Sequence, residues 1–174
     1  MARREVLRMG NPLLRQAASD FTVEEIKTNE TKELIQDMIE TMEAEEGIGL
    51  AAPQIGILKK LALVGIPKED DDYELLIVFN PVIRVIDETT AGCWEGCLSV
   101  PGLRGLVERP QKIEVEYLDD QAEPQKVIAE GFAATVFQHE IDHLYGTLYI
   151  DRIKDTKNIA FTEEFLKFHA SDED

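Results

Sequence analysis

The run His139-Glu140-Ile141-Asp142-His143 holds the residues best suited to chemistry in this sequence. On a helix, side chains four residues apart stand on one face a turn apart. Two imidazoles so placed can chelate one metal ion while the neighbouring glutamate faces the water bound to it. The same five residues could also be two core histidines that only hydrogen-bond, since a pattern this short arises by chance. Two imidazoles leave a metal short of ligands, so a Cys thiolate, Asp, Glu or further His must complete the set.

His169 is the other histidine, and its place in a polar stretch near the end reads as exposed. Cys97 is the better candidate. It lies in Glu95-Gly96-Cys97-Leu98-Ser99, where glycine permits close backbone approach and the following residues suit a strand edge. A cysteine in such a place can equally be a small buried hydrophobe. Cys93 is an alternative without that local setting, and Cys93 and Cys97 chelating together would leave no open position beside two histidines. A third feature is Gly47-Ile48-Gly49-Leu50-Ala51-Ala52-Pro53-Gln54, a run of small residues. It lacks the Lys-Ser/Thr of a phosphate loop and the last glycine of G-x-G-x-x-G, which argues against nucleotide binding. Small side chains let another backbone or a ligand approach closely, and Gln54 adds an amide donor, although a tightly packed loop would have the same composition.

These residues need elements to hold them. A helix is predicted from 132 to about 145, between Gly131 and Gly146, with Phe132, Val136, His139 and His143 in one narrow stripe. Asp142 faces away from that stripe and is expected to pair with Arg109. The clearest helix of the first half spans 31–46, where Leu34, Ile35, Met38, Ile39 and Met42 recur at helical spacing before Gly47. Asn11-Pro12 suits the first turn of a short helix. Between Gly47 and Gly131 short strands are expected at 61–66, 75–79 and 113–117, punctuated by Pro67, Asn80-Pro81, Pro101-Gly102 and Arg109-Pro110. A last short helix is expected around 161–168.

With 174 residues and an apolar share of 44%, the chain reads as one domain over 1–174 with a polar, acidic tail after about 155. Its net charge of −17 repels phosphate backbones and anionic bilayers, which argues against nucleic-acid recognition and membrane binding. The acidic runs at 69–72 and 171–174 read as a solvated loop and a frayed end. Two cysteines are too few for a disulfide framework and suit a reduced compartment. The basic start lacks the apolar run of a secretory signal, and no later stretch approaches a membrane span. A soluble, cytoplasmic protein is expected, although an organelle protein without its transit peptide would look alike.

Taken together and in this order, the three segments resemble the signature motifs of peptide deformylases: G-x-G-x-A-A-x-Q at Gly47 to Gln54, E-G-C-x-S at Glu95 to Ser99, and H-E-x-D-H at His139 to His143. The resemblance extends through Arg8-Met9-Gly10-Asn11-Pro12, Pro101-Gly102-Leu103-Arg104-Gly105 and Gln138, to about residue 155. It implies an α+β fold in which the metal-binding helix is central and small, mostly antiparallel β-sheets surround it. It implies one divalent metal ion on Cys97, His139 and His143, natively Fe2+ in many members, with Zn2+, Ni2+ or Co2+ able to occupy the site. Glu140 then takes the family's general acid/base role, and the Gln54 amide and Leu98 N–H stabilise the oxyanion. The expected substrates are N-formylmethionyl peptides and nascent chains. Ile48, Gly49 and Gly96 would pair with an extended peptide through their backbones, and Ile48, Phe132 and Val136 are candidates for the walls of the methionine pocket.

Two other readings differ in class. A zinc peptidase could use the same histidine helix, but Glu or His usually completes its ligand set rather than a thiolate. A metal-stabilised binding module could keep the fold without turnover, yet Glu140 and the other motif residues are all in place. Some bacterial relatives end in a basic helix that contacts the ribosome, whereas this sequence ends Ser171-Asp172-Glu173-Asp174. Ribosomal RNA would repel such an end, so direct docking through it is not expected.

Overall fold

The computed structural model describes residues 2–68 and 73–170. The two acidic runs, 69–72 and 171–174, lie outside the described residues. Helix α1 (Val23–Ile26) precedes α2 (Asn29–Ala44), which is followed by β1 (Gly49–Ala51), β2 (Leu61–Pro67), β3 (Tyr73–Cys97), β4 (Val100–Leu118) and β5 (Pro124–Glu130). The histidine helix α3 (Gly131–His143) comes next, then β6 (Ile159–Phe161) and α4 (Thr162–Phe168). Pro12–Arg15 forms the expected short helix, a 3-10 turn with the Asn11 side chain capping Leu13 N–H.

The helix expected at 31–46 is displaced toward the N-terminus. Thr28 accepts from Thr31 N–H and caps α2 earlier, and Glu46 turns the chain at φ 56 before Gly47 is reached. The strands expected at 75–79 and 113–117 are parts of the much longer β3 and β4. Bulges absorb the prolines and asparagine that seemed to break them, with register shifts between Phe79 and Val82, Val85 and Asp87, Asp87 and Thr90, and Glu95 and Cys97. Asn80 sits at φ 49, and its side chain bonds both Phe21 N–H and Phe21 C=O, at 2.9 and 2.8 Å. The polar stretch after 155 carries β6 as well as the expected helix, α4.

The layout is α+β, as expected. All strands pair antiparallel in the order β1-β2-β3-β4-β5, with β6 added to β4, so the bent β3 and β4 link the pieces into one hydrogen-bonded sheet. Strand β2 joins the two main cores because alternate residues of a strand point to opposite faces. Ala62 and Val64 pack with Ala134, Phe137 and Ile141 of α3, while Leu61 and Leu63 pack with Ile35, Met38 and Met42 of α2. The histidine helix is thereby clamped against β1, β2 and β4 with its apolar face buried. No helix of the described residues is long and apolar enough to cross a membrane.

Candidate metal centre

The three motifs are far apart in sequence and meet in space. The ligand atoms of Cys97, His139 and His143 lie within 4.8 Å of one another, and Cys97 Sγ stands 3.4 Å from His143 Nε2. Cys97 arrives at the end of β3, beside the bulge that follows Glu95. Both histidines come from α3, which Phe137 and Ile141 anchor in the core.

Each imidazole is held from behind. His139 Nδ1 meets Glu95 Oε2 at 2.8 Å, which leaves its Nε2 for a cation. Glu95 is itself gripped by Arg109, through Nε at 2.6 Å and Nη2 at 3.0 Å, and the third guanidinium nitrogen reaches Asp142 Oδ2 at 2.9 Å. The expected Asp142–Arg109 pair is therefore present, and it forms half of a larger buried network. Tyr149 lies flat on the His139 ring, centroids 5.9 Å apart, with its hydroxyl donating to Leu103 C=O at 3.2 Å. The roles of Glu95 and Tyr149 were not read from the sequence. A charged residue next to glycine inside a strand was the available signal for the first, and nothing local marked the second.

Burial governs the protonation of the centre. It resists charge on His143, and the neighbouring His139 adds to that effect, so its imidazole is held well below the ordinary range. Burial works the same way on His139, but hydrogen bonds with Cys97 and Glu95 outweigh it and carry that ring well above. The Glu140 carboxyl is pushed up to about 7, chiefly by burial; nearby His139 opposes the rise and Glu95 adds to it. Glu140 Oε2 and His143 Nδ1 are buried without a hydrogen-bond partner among the described residues. A thiol, two imidazoles and an unpartnered carboxyl oxygen at such spacing fit a divalent cation with bound water.

Gln54 is oriented by its neighbours. Its Oε1 accepts from Ala51 N–H at 2.8 Å, which turns Nε2 toward Ser99 Oγ at 3.2 Å and Cys97 Sγ at 3.6 Å. Gly49 explains the second glycine of the first motif: a Cβ there would stand 2.4 Å from Glu140 Oε1. The site opens into a cleft of about 560 Å³, lined among others by Ile48, Gly49, Gly96, Leu98, Phe132 and Val136. Phe132 is half exposed on its rim and Val136 is buried. Cys93 also lines the cleft but is not one of the converging three, and His169 is exposed as expected.

A half-buried thiol, two buried imidazoles and a carboxyl tuned to neutral pH, open to a cleft, define a metal-dependent hydrolase. The family model for polypeptide deformylase matches residues 3–159. A peptide deformylase of Leptospira biflexa is 48% identical over 173 residues, spanning 94% of this chain and 95% of that one. Among solved structures, a class I type b peptide deformylase from Acinetobacter baumannii superposes with a TM-score of 0.84 at 35% identity, covering 88% of this chain and 100% of that one. The peptide deformylase of Thermotoga maritima does so at 0.81 and 38% identity, covering 89% and 100%. The chain belongs to the polypeptide deformylase family. It is an enzyme, a metal-dependent amide hydrolase that removes the N-formyl group from peptides.

Proposed function

We propose that Cys97, His139 and His143 hold one divalent cation, natively Fe2+, and that the site deformylates N-formylmethionyl peptides and nascent chains. The observation that carries this reading is the convergence of one sulfur and two imidazoles within 4.8 Å, next to a buried carboxyl. A bound cation supplies a Lewis acid and lowers the pKa of coordinated water toward about 7. Zn2+, Ni2+ or Co2+ suits the same donors, and the preference for iron follows the family resemblance.

The remaining chemistry belongs to the side chains. Glu140 Oε2 takes the proton of the attacking water and returns it to the leaving amine, which departs poorly until protonated. A carboxyl with a pKa of about 7 is suited to both transfers. Gln54 Nε2 and Leu98 N–H donate to the formyl oxygen as negative charge grows there. Ala51 N–H holds the Gln54 amide so that Nε2 lies beside Cys97 Sγ, at 3.6 Å.

The peptide binds as an added strand. β1 is the edge of the sheet, so one side of its ladder is open to a partner. The backbones of Ile48, Gly49 and Gly96 pair with the peptide, and Ile48 C=O is itself held by Gly65 N–H at 2.8 Å. Ile48, Phe132 and Val136 receive the methionine side chain. The chain acts as one catalytic domain over 1–174. Ribosome docking through 171–174 is not part of this reading.

Anaerobic purification with metal analysis and a formate-release assay tests it. One iron per chain and formate from formyl-Met peptides are expected. Cleavage of internal bonds in unformylated counterparts, without formate release, would overturn the substrate assignment, and stoichiometric zinc after anaerobic purification would overturn the iron assignment.

A further inference from the structure

Residues 160–169 lie beyond the segment that the family model matches, yet they reach the cleft. β6 pairs with β4 through Leu103↔Phe161, Arg104↔Ala160 and Gly105↔Ile159. Leu103 and Arg104 line the cleft, as does Thr162 at the start of α4. From α4, Phe165 packs its ring against Trp94 with centroids 5.3 Å apart, and His169, at the end of the helix, lies 4.9 Å from the same indole. The Arg104 guanidinium sits over the Phe165 ring at 6.0 Å. It also fills the space beside Gly96, where a Cβ would come within 2.6 Å of Nη1.

We propose that β6 and α4 form an outer wall of the cleft, which positions Trp94 and Arg104 to bind the peptide residues that follow formylmethionine. Trp94 precedes the Cys97 ligand by three positions on β3, roughly 10 Å along a strand at about 3.3 Å per residue. An extended peptide paired beside Gly96, the pose on which this inference rests, therefore carries its second and third residues past the wall. An indole and a guanidinium present flat faces that take varied side chains and peptide planes, which suits a substrate whose later residues differ from protein to protein. Phe165 and His169 are positioning residues: they touch Trp94 rather than the peptide.

The test compares metal-loaded wild type, Phe165→Ala and Trp94→Leu on formyl-Met amide and on a formyl-Met tripeptide. In wild type, kcat/KM rises from the amide to the tripeptide. F165A reduces that gain roughly three- to tenfold, the scale of one aromatic contact, through KM rather than kcat. W94L reduces it similarly. Trp94 is the single tryptophan, so its emission reports the wall directly. An unformylated tripeptide changes that emission in wild type and does so less in F165A. An unchanged gain in both variants overturns the proposal. Equal losses on amide and tripeptide also overturn it, because the wall would then be merely structural. If wild type shows no gain at all, the strand-pairing pose itself fails, and this inference with it.

Discussion

Replacing Gly49 by alanine adds one methyl group where Glu140 has its carboxyl. The new Cβ would meet Glu140 Oε1 at 2.4 Å, Cδ at 2.7 Å and Cγ at 2.8 Å, against an ordinary contact of 3.4 Å or more. Glu140 must therefore retreat by about 1 Å. It cannot do so freely, because α3 is anchored by Phe137 and Ile141 and the carboxyl is buried. Gly49 lies outside the left-handed backbone region, so alanine adds no backbone strain. It also leaves the register of β1 intact, with Gly49 opposite Val64. A 1 Å displacement of a catalytic group costs on the order of 100-fold. Complete loss of acid/base catalysis costs roughly 100- to 10,000-fold. G49A is thus expected to lower kcat at least about 100-fold, approaching the effect of Glu140→Gln, with metal content near wild type. Formate release measures the first quantity, and elemental analysis of the same sample the second. A kcat within about threefold of wild type would show that Glu140 need not occupy its present position, and loss of the metal would show that the methyl acts on the ligands instead.

Other substitutions probe the rest of the centre. Gln54→Ala should reduce kcat about 100- to 1,000-fold by removing one oxyanion donor, with KM little changed; an effect confined to KM would place Gln54 in ground-state binding. Arg109→Met takes the guanidinium from the buried Glu95 carboxylate, while the half-buried Asp142 keeps Arg152, which should lower unfolding free energy by about 3 kcal/mol in a urea titration. A loss below about 1 kcal/mol would mean that the network relaxes or admits water. Cys97→Ser should yield a folded protein with little bound metal, read by circular dichroism and elemental analysis; full metal occupancy would remove the sulfur from the ligand set. Chelating the metal from wild type should lower Tm, since a ligand at 100 times its Kd stabilises the native state by about 2.7 kcal/mol, and an unchanged Tm would argue that the cation does not bind the folded state selectively.

Much of the site is legible without coordinates because its geometry is local. The i, i+4 spacing of His139 and His143 places both imidazoles on one helix face whatever the helix packs against, and Gly47 to Gln54 announces a close approach through its lack of side chains. The α+β layout is implied by the family resemblance, and periodicities of 3.6 and 2 residues in well-separated stretches agree with it. Boundaries were less legible. Prolines and Asn80 looked like strand ends, but bulges in a paired sheet tolerate them, and only the partner strand determines where a bulge forms.

Tertiary structure alone decided what the distant residues do to one another. Nothing near Gly49 in sequence says that the group crowding it is Glu140, and nothing near Glu95 says that it steadies His139 while gripped by Arg109. The stack of Tyr149 on His139 and the wall that α4 builds over Trp94 are likewise contacts between remote segments. Residue types and short-range spacing thus determined which chemistry was available. The folding of a long bent sheet around α3 decided which atoms meet, because contacts across many residues depend on the path of the whole chain rather than on any one stretch of it.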